Sequence, residues 1–390
     1  MNEGLIKQMG YKAYFQDLKQ KNKLAMDTIQ LQSVKGIPTD LFHIMQHDHI
    51  ERIAGVGSGE YRENPEEVYI KMLKNIGVNI VDQYLADNPL SMGDHGYEGT
   101  EHGATTGAEQ VVVNGIVINS PEDVIDHLEK FEFSRLKADV NSFNEEVRVK
   151  EILDNEMNQS VKYGKKMLKT GYGYITFPYL YYFKYGYANY FMAYALYPEE
   201  IEQHFSLQAD LALLNNRAAA IAYKAGGLPP MYRLDHDMAD SRGSLVNENS
   251  LDKMWLPHFA RCLEPVLKTD MRMIWHCDGN LMKLVPRLID VGIKGFQGFQ
   301  YEDGMDYVNI CKMKTKDGED LLIEGGVSVT CTLPFGTPED IKREMRFLVD
   351  NGPKTGLFLS TSSTIAPGVR WDNVETMLEG FKYYRTHGRH

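Results

Sequence analysis

Residues 273–306, MIWHCDGNLMKLVPRLIDVGIKGFQGFQYEDGMD, decide the fold. Met273-Ile274-Trp275 is a short apolar run of buried-strand type, and it ends in His276-Cys277-Asp278 followed by Gly279-Asn280. Apolar residues then recur at helical spacing (Leu281, Leu284, Val285, Leu288, Ile289), Gly292 closes the pattern, and a second strand follows at 295–299. In an extended segment, residues two apart share a side, so His276 and Asp278 project together where strand turns to loop. An imidazole beside a carboxylate at that spot makes half of a metal site or an acid/base pair.

The same strand-then-helix unit recurs along the chain. Strands are predicted at 40–45, 79–84, 173–177, 231–234, 272–275, 295–299, 321–324 and 356–360. Helical patterns occupy 65–75, 145–168, 198–224, 251–269, 281–291, 338–351 and 373–384. Thr337-Pro338-Glu339-Asp340 and Ser120-Pro121-Glu122-Asp123 each combine a cap, a first-turn proline and early acids, and Gly352 stands where a helix needs a left-handed stop. Eight such units fit a (β/α)8 TIM barrel over residues 1–390, with its active site in the loops at the strand C-termini. Residues 1–35 read as a helical lead-in. About 88–133 interrupt the alternation with a loop, GDHGYEGTEHGATTG, and a hairpin, VVVNGIVI, whose Asn114-Gly115 is a type I′ turn signal. This elaboration after the second strand is expected to cover the mouth of the barrel.

With 43% apolar residues the chain can bury a large core. A net charge of −12 argues against nucleic acid or an anionic membrane as partner. No apolar run is long enough to span a bilayer, and the first residues lack a signal-peptide core. Cys262, Cys277, Cys311 and Cys331 show no paired spacing and read as reduced thiols of a cytoplasmic protein.

Several segments resemble the uroporphyrinogen decarboxylase superfamily, which includes corrinoid-linked methyltransferases. They are KYGYANYFMAYALYPEEIEQHF, HDMADSRGSLVNENSLDKMWLPHF, IWHCDGN, QYEDGMD, LIEGGVSVTCTLPFGTPEDI and LFLSTSSTIAPGVRWDNVETM, running in the family's order from about Tyr185 to the C-terminus. The first third is similar only through GIPTDLFHIMQHDHIERIAG and NIGVNIVDQYL. The resemblance implies a (β/α)8 barrel. The arginine-rich motif with which true decarboxylases of the family grip a polycarboxylate is absent, since no arginine precedes Arg52. Family members that methylate a thiol carry His-x-Cys where this chain has His276-Cys277-Asp278, and a further Cys near the position of Ser363. Asp278 and Ser363 replace both thiolates, so the resemblance points instead to the O-demethylase-type methyltransferases.

On this reading zinc is held by His276 and Asp278 with Glu302 or Glu324 as third ligand. Oxygen and nitrogen ligands leave zinc a strong Lewis acid, suited to polarising an ether oxygen while a methyl group passes to cobalt. No corrinoid-binding DxHxxG segment is present, so the corrinoid is expected on a separate partner protein. Asp237 and His276 are the catalytic candidates, and Gln300, His47 and His95 the substrate-contact candidates. Each also has a plain structural alternative: loop cap for Asp237, satisfied core amide for Gln300, polar loop residue for the other histidines. Cys277 alternates to the far face and belongs to the core. A metal-independent decarboxylase or lyase of a small acid using Asp237 and His276, and a non-catalytic barrel that binds a corrinoid protein, remain as alternatives. A homodimer is compatible with the sequence.

Overall fold

The computed structural model describes residues 10–41, 43–83 and 111–389. Its strands are β1 Ile80–Val81, β2 Val111–Val113, β3 Ile116–Ile118, β4 Leu168–Lys169 and β5 Met231–Asp235, then β6 Ala239–Asp240, β7 Gly243–Ser244, β8 Arg272–His276, β9 Gly295–Gln297, β10 Leu322–Val327 and β11 Leu357–Thr361. β5, β8, β9, β10 and β11 form a parallel sheet in that order, and β1 pairs with β4 in parallel. Parallel bridges extend this order: Gly171 to Tyr232 of β5, Asp40 to Ile80 of β1, and Thr39 to Leu359 of β11. Each parallel segment thus neighbours the next along the chain, and the first, at Thr39 and Asp40, neighbours the last. The molecule is an α/β fold with a parallel sheet.

Helices return the chain between strands, among them Pro65–Ile76, Glu145–Tyr163, Pro198–Gly226, Leu256–Leu267, Val285–Val291, Pro338–Asn351 and Trp371–His387. The outer face of β8 shows how they are held. Trp275 is fully buried and meets Phe259 of Leu256–Leu267 edge-on at 5.5 Å and Phe177 at 5.4 Å, while Trp255 stacks on Phe259 at 4.4 Å. Truncating such a ring costs about 3–5 kcal/mol, so this layer fixes β8 against its helix. With Trp275 turned outward, His276 must turn inward. Among the described residues no helix is long and apolar enough to cross a membrane.

Local chemistry follows the sequence in several places. Ser120 with Asp123 and Thr337 with Asp340 each form a complete capping box. Asn114 and Gly115 both have positive φ (51° and 77°) and join β2 to β3 as an antiparallel hairpin. Three expectations need correction. The third strand is β4 at Leu168–Lys169, not 173–177: Gly164 (φ 76°) ends the preceding helix at Tyr163, so the chain reaches the sheet earlier. At 173–177 the backbone N–H groups of Tyr174 and Ile175 donate to Tyr232 Oη (2.8 and 2.6 Å) instead of to a strand. The helix expected at 251–269 is two, Glu248–Met254 and Leu256–Leu267, with Pro265 tolerated near the end of the second. Gly352 is extended (φ −67°), not left-handed; a Cβ there would lie 2.7 Å from Leu348 O and 2.8 Å from Tyr307 Oη, so crowding explains the glycine. Residues 84–110, which hold most of the expected mouth-covering loop, and residues 1–9 of the lead-in fall outside the described residues.

Candidate functional site

β5 carries Arg233 and Asp235 on one face, and the alternation continues to Asp237 just past the strand. Asp235 is the register partner of His276 on β8, so an imidazole and a carboxylate meet side by side at adjoining strand ends. Ligand atoms of Asp235, Asp237 and His276 all lie within 4.8 Å of one another. Of the expected site residues, the structure therefore brings His276 and Asp237 together and adds Asp235.

Each carboxylate is held by its surroundings. Asp235 Oδ2 accepts from Arg233 Nη1 at 2.8 Å and from Tyr172 Oη at 3.1 Å. Arg233, buried on β5, also pairs through Nε with Asp82, and its guanidinium lies 4.6 Å from the centre of the Tyr172 ring. Burial alone would raise Asp235; the neighbouring His276 and Arg233 and the hydrogen bonds from Tyr172 and Arg233 outweigh it and hold this carboxyl below its ordinary value. Asp237 goes the other way, raised by burial and by the nearby Asp278 and Asp235 against the pull of His276. Asp237 Oδ1 accepts the backbone N–H of Asp278 at 2.9 Å, and Tyr182 Oη donates to the Asp237 carbonyl at 2.8 Å. Two carboxylates thus converge on one imidazole while differing in basicity.

The loop after β8 is clamped onto the β6–β7 hairpin. Asn280 N–H donates to Asp240 O at 2.8 Å, and Gly279 (φ 83°) comes so close that a Cβ would sit 2.7 Å from the same oxygen. Gln300 supplies a second clamp, its Oε1 accepting from Gly279 N–H at 2.7 Å. Asp278 lies 3.9 Å from His276 Nε2 and accepts from Ser363 Oγ at 3.2 Å. The residue standing near a family thiolate position therefore touches Asp278 as a hydroxyl donor.

Glu302 and Glu324 do not join the group. Glu302 is exposed and its Oε1 accepts from Ser328 Oγ (2.9 Å) and Thr330 Oγ1, which ties it to the loop after β10. Glu324 is buried on β10 and hydrogen-bonds Asp40. His47 begins the helix His47–Ala54 and is buried against the edge of Tyr61 at 5.0 Å. His95 lies outside the described residues. Cys277 is buried, with Met238 N–H 3.3 Å from its sulfur, as its place on the far face implies. Asp235 was missed because the predicted strand stopped at Leu234. Its signal was nonetheless in the sequence: Asp235-His236-Asp237 repeats, one strand earlier, the spacing of His276-Cys277-Asp278.

The donor set is two carboxylates and one imidazole, offering one ligand atom each, which fits a three-ligand zinc site with a position left for substrate. Without a metal the same groups could exchange a proton.

Comparison with known proteins places these residues in context. The family model described as Uroporphyrinogen decarboxylase (URO-D) matches residues 236–384, a segment that holds Asp237, His276 and β8 to β11. A solved structure, a methyltransferase from Methanosarcina mazei, shares the fold with a TM-score of 0.54 at 15% identity, covering 94% of this chain and 98% of that one. No curated protein sequence matches the chain. The resemblance carried by the HDMADSRG, IWHCDGN and LIEGG segments is thus matched by a family signature over 236–384 and by a shared fold over nearly the whole chain.

Proposed function

We propose that this chain is a (β/α)8 barrel methyltransferase that moves a methyl group from a small O-methylated compound to the cobalt of a corrinoid carried by a separate protein. The observation that carries the reading is the Asp235–Asp237–His276 group at the ends of β5 and β8, where barrel enzymes place their chemistry. These three residues would hold zinc, in place of the His276, Asp278 and glutamate set expected from the sequence. Zinc, when bound, supplies Lewis acidity toward an ether oxygen.

The chain's own residues do the rest. Arg233 and Tyr172 hold Asp235 through Oδ2 and so fix the carboxylate beside the site. Tyr182 and the Asp278 backbone fix Asp237. Asp278, steadied by Ser363 beside His276, is placed to orient a donor. A metal-free lyase using Asp237 and His276 is the second reading, favoured by the raised Asp237 carboxyl beside the His276 imidazole.

The test is zinc content of anaerobically purified protein, wild type beside His276→Ala and Asp235→Asn. Stoichiometric zinc that is lost in both variants with folding intact supports the site, and methyl transfer to a corrinoid protein is then assayed directly. Wild type that takes up no zinc even when supplied would sink the Lewis-acid reading and leave the lyase as the better one.

A further inference from the structure

Around the same ring of inward-facing positions lies a second set of polar side chains that the metal group does not use. Gln297 on β9 is the register partner of His276 on one side and of Glu324 on the other. Glu324 in turn is level with Phe358 of β11, and Ser360 follows two residues on along the same face. Asp40 hydrogen-bonds Glu324 and sits beside β11 through the Thr39–Leu359 bridge. Gln297, Glu324, Ser360 and Asp40 are all at most 4% exposed. Three of them have an atom left over: Gln297 Oε1, Glu324 Oε2 and Ser360 Oγ make no hydrogen bond among the described residues. Buried polar atoms without partners are rare and costly, and three on adjoining strands mark a place built to receive a polar group.

Charge decides which polar group. Asp40, Asp82 and Glu324 interact here with one another and with Arg233, whose guanidinium is committed to Asp82 and Asp235. Lys169 on β4 is turned the other way, onto Glu156 of the helix Glu145–Tyr163. An entering carboxylate would therefore meet acids and, among the described residues, no uncommitted cation. Burial and the Asp82 charge push Asp40 up to about 8, so it stands protonated near neutrality, and burial with the Asp40 and Asp82 charges pushes Glu324 well above its ordinary value. A protonated acid, an amide and a hydroxyl can donate to and accept from a neutral ligand.

We propose that Gln297, Glu324 and Ser360 form the seat for the inner end of the methyl donor, and that this end is an uncharged hydrogen-bonding group, a hydroxyl above all, and not a carboxylate. The inference rests on the methyl-donor reading and narrows its substrate class. The seat adjoins His276 through the Gln297 register, so donor group and seat are neighbours.

Titration calorimetry on the whole zinc-supplied chain, without corrinoid partner, tests it with two matched pairs: 2-methoxyphenol against 2-methoxybenzoate, and 2-methoxyethanol against methoxyacetate. The neutral member of at least one pair should bind at least about tenfold more tightly than its carboxylate. Gln297→Leu should weaken that binding about tenfold, the loss of one buried partner. Ser360→Ala, the smaller change, removes the seat's hydroxyl and should weaken binding about fivefold, so the seat is still tested if Gln297→Leu fails to fold. Equal or tighter binding of the carboxylates, no binding by any of the four, or a folded Gln297→Leu that binds as wild type would each overturn the seat. Failure of the methyl-donor reading looks different: the hydroxyl compounds bind with and without their methyl group, and no methyl reaches a supplied corrinoid protein.

Discussion

Asp40→Asn should make this protein more stable as pH rises. Asp40 is fully buried and faces Glu324, Asp82 and Arg233, with Tyr69 close by. Desolvation first, then the Asp82 charge, lift its carboxyl from an ordinary 3.8 to about 8, against the pull of Arg233, the Leu41 backbone and the Glu324 hydrogen bond. Because the folded value is the higher one, the folded chain keeps a proton that the unfolded chain has released throughout this interval. Stability from this group is complete below about pH 4, falls as pH rises, and levels off beyond about pH 8. At about 1.36 kcal/mol per pH unit, the wild type loses about 4 kcal/mol through Asp40 between pH 5 and pH 8. Asparagine offers the same neighbours a donor and an acceptor and does not titrate. The two proteins should therefore be within about 1 kcal/mol of each other at pH 5, with the variant ahead by several kcal/mol at pH 8. Urea unfolding at pH 5, 6.5 and 8 reads the difference; Glu324, freed of the Asp40 charge in the variant, is raised less there and shifts the comparison in the same direction. Stability curves that run parallel across that range would refute the buried-acid argument.

Two further perturbations isolate other features. Gly298→Ala places a Cβ 2.7 Å from His276 Nδ1 at a backbone φ of 90°, so it should displace the imidazole and lower zinc affinity at least about tenfold in a chelator competition while every ligand residue remains; wild-type affinity in a folded variant would mean that His276 is not a ligand. Lys169→Met removes the partner of Glu156, which Lys169 Nζ meets through both oxygens at 3.1 Å with both side chains buried, and should cost about 3–5 kcal/mol in urea unfolding. Adding Glu156→Leu should recover most of that loss, and a double variant no more stable than the single one would show that the pair is not the cause.

What the sequence made legible is what depends on near neighbours. Capping boxes at Ser120 and Thr337 and the Asn114-Gly115 turn are contests among a few adjacent residues, and each is resolved as read. The misplaced third strand has the opposite character. The helical pattern at 145–168 includes Leu168, and Lys169 next to it belongs to no predicted strand. Lys169 is buried, and only its distant partner Glu156 and the carbonyl of Thr170 (2.6 Å) make that tenable. Gly352 is similar in part: beside the local Leu348 carbonyl, Tyr307 Oη and Leu357, brought in by tertiary packing, exclude a side chain there, and no local rule reports them.

The site divides along the same line. Alternation says which side of a strand a residue faces, and it placed His276 inward and Cys277 outward without any knowledge of neighbours. Register says who stands beside whom, and that is a long-range property. Asp235 meets His276 because β5 pairs with β8 at that level, about forty residues apart in sequence, so an i, i+2 pattern in either strand alone could not reveal it. Beyond the strand ends even alternation lapses, because a loop residue goes where its hydrogen bonds take it. Asp278 donates its backbone N–H to Asp237, Gln300 accepts the Gly279 N–H on its amide oxygen, and Glu302 is drawn to Ser328 and Thr330. Of the ligand candidates read from motif spacing, the structure therefore keeps the strand residue His276 in the proposed group and gives both glutamates other partners. Their replacement, Asp235 at the last position of β5, is again a strand residue, held on one oxygen by Arg233 and Tyr172 before any ligand arrives. A site meant to hold a metal in one geometry gains most from donors whose direction the sheet already fixes.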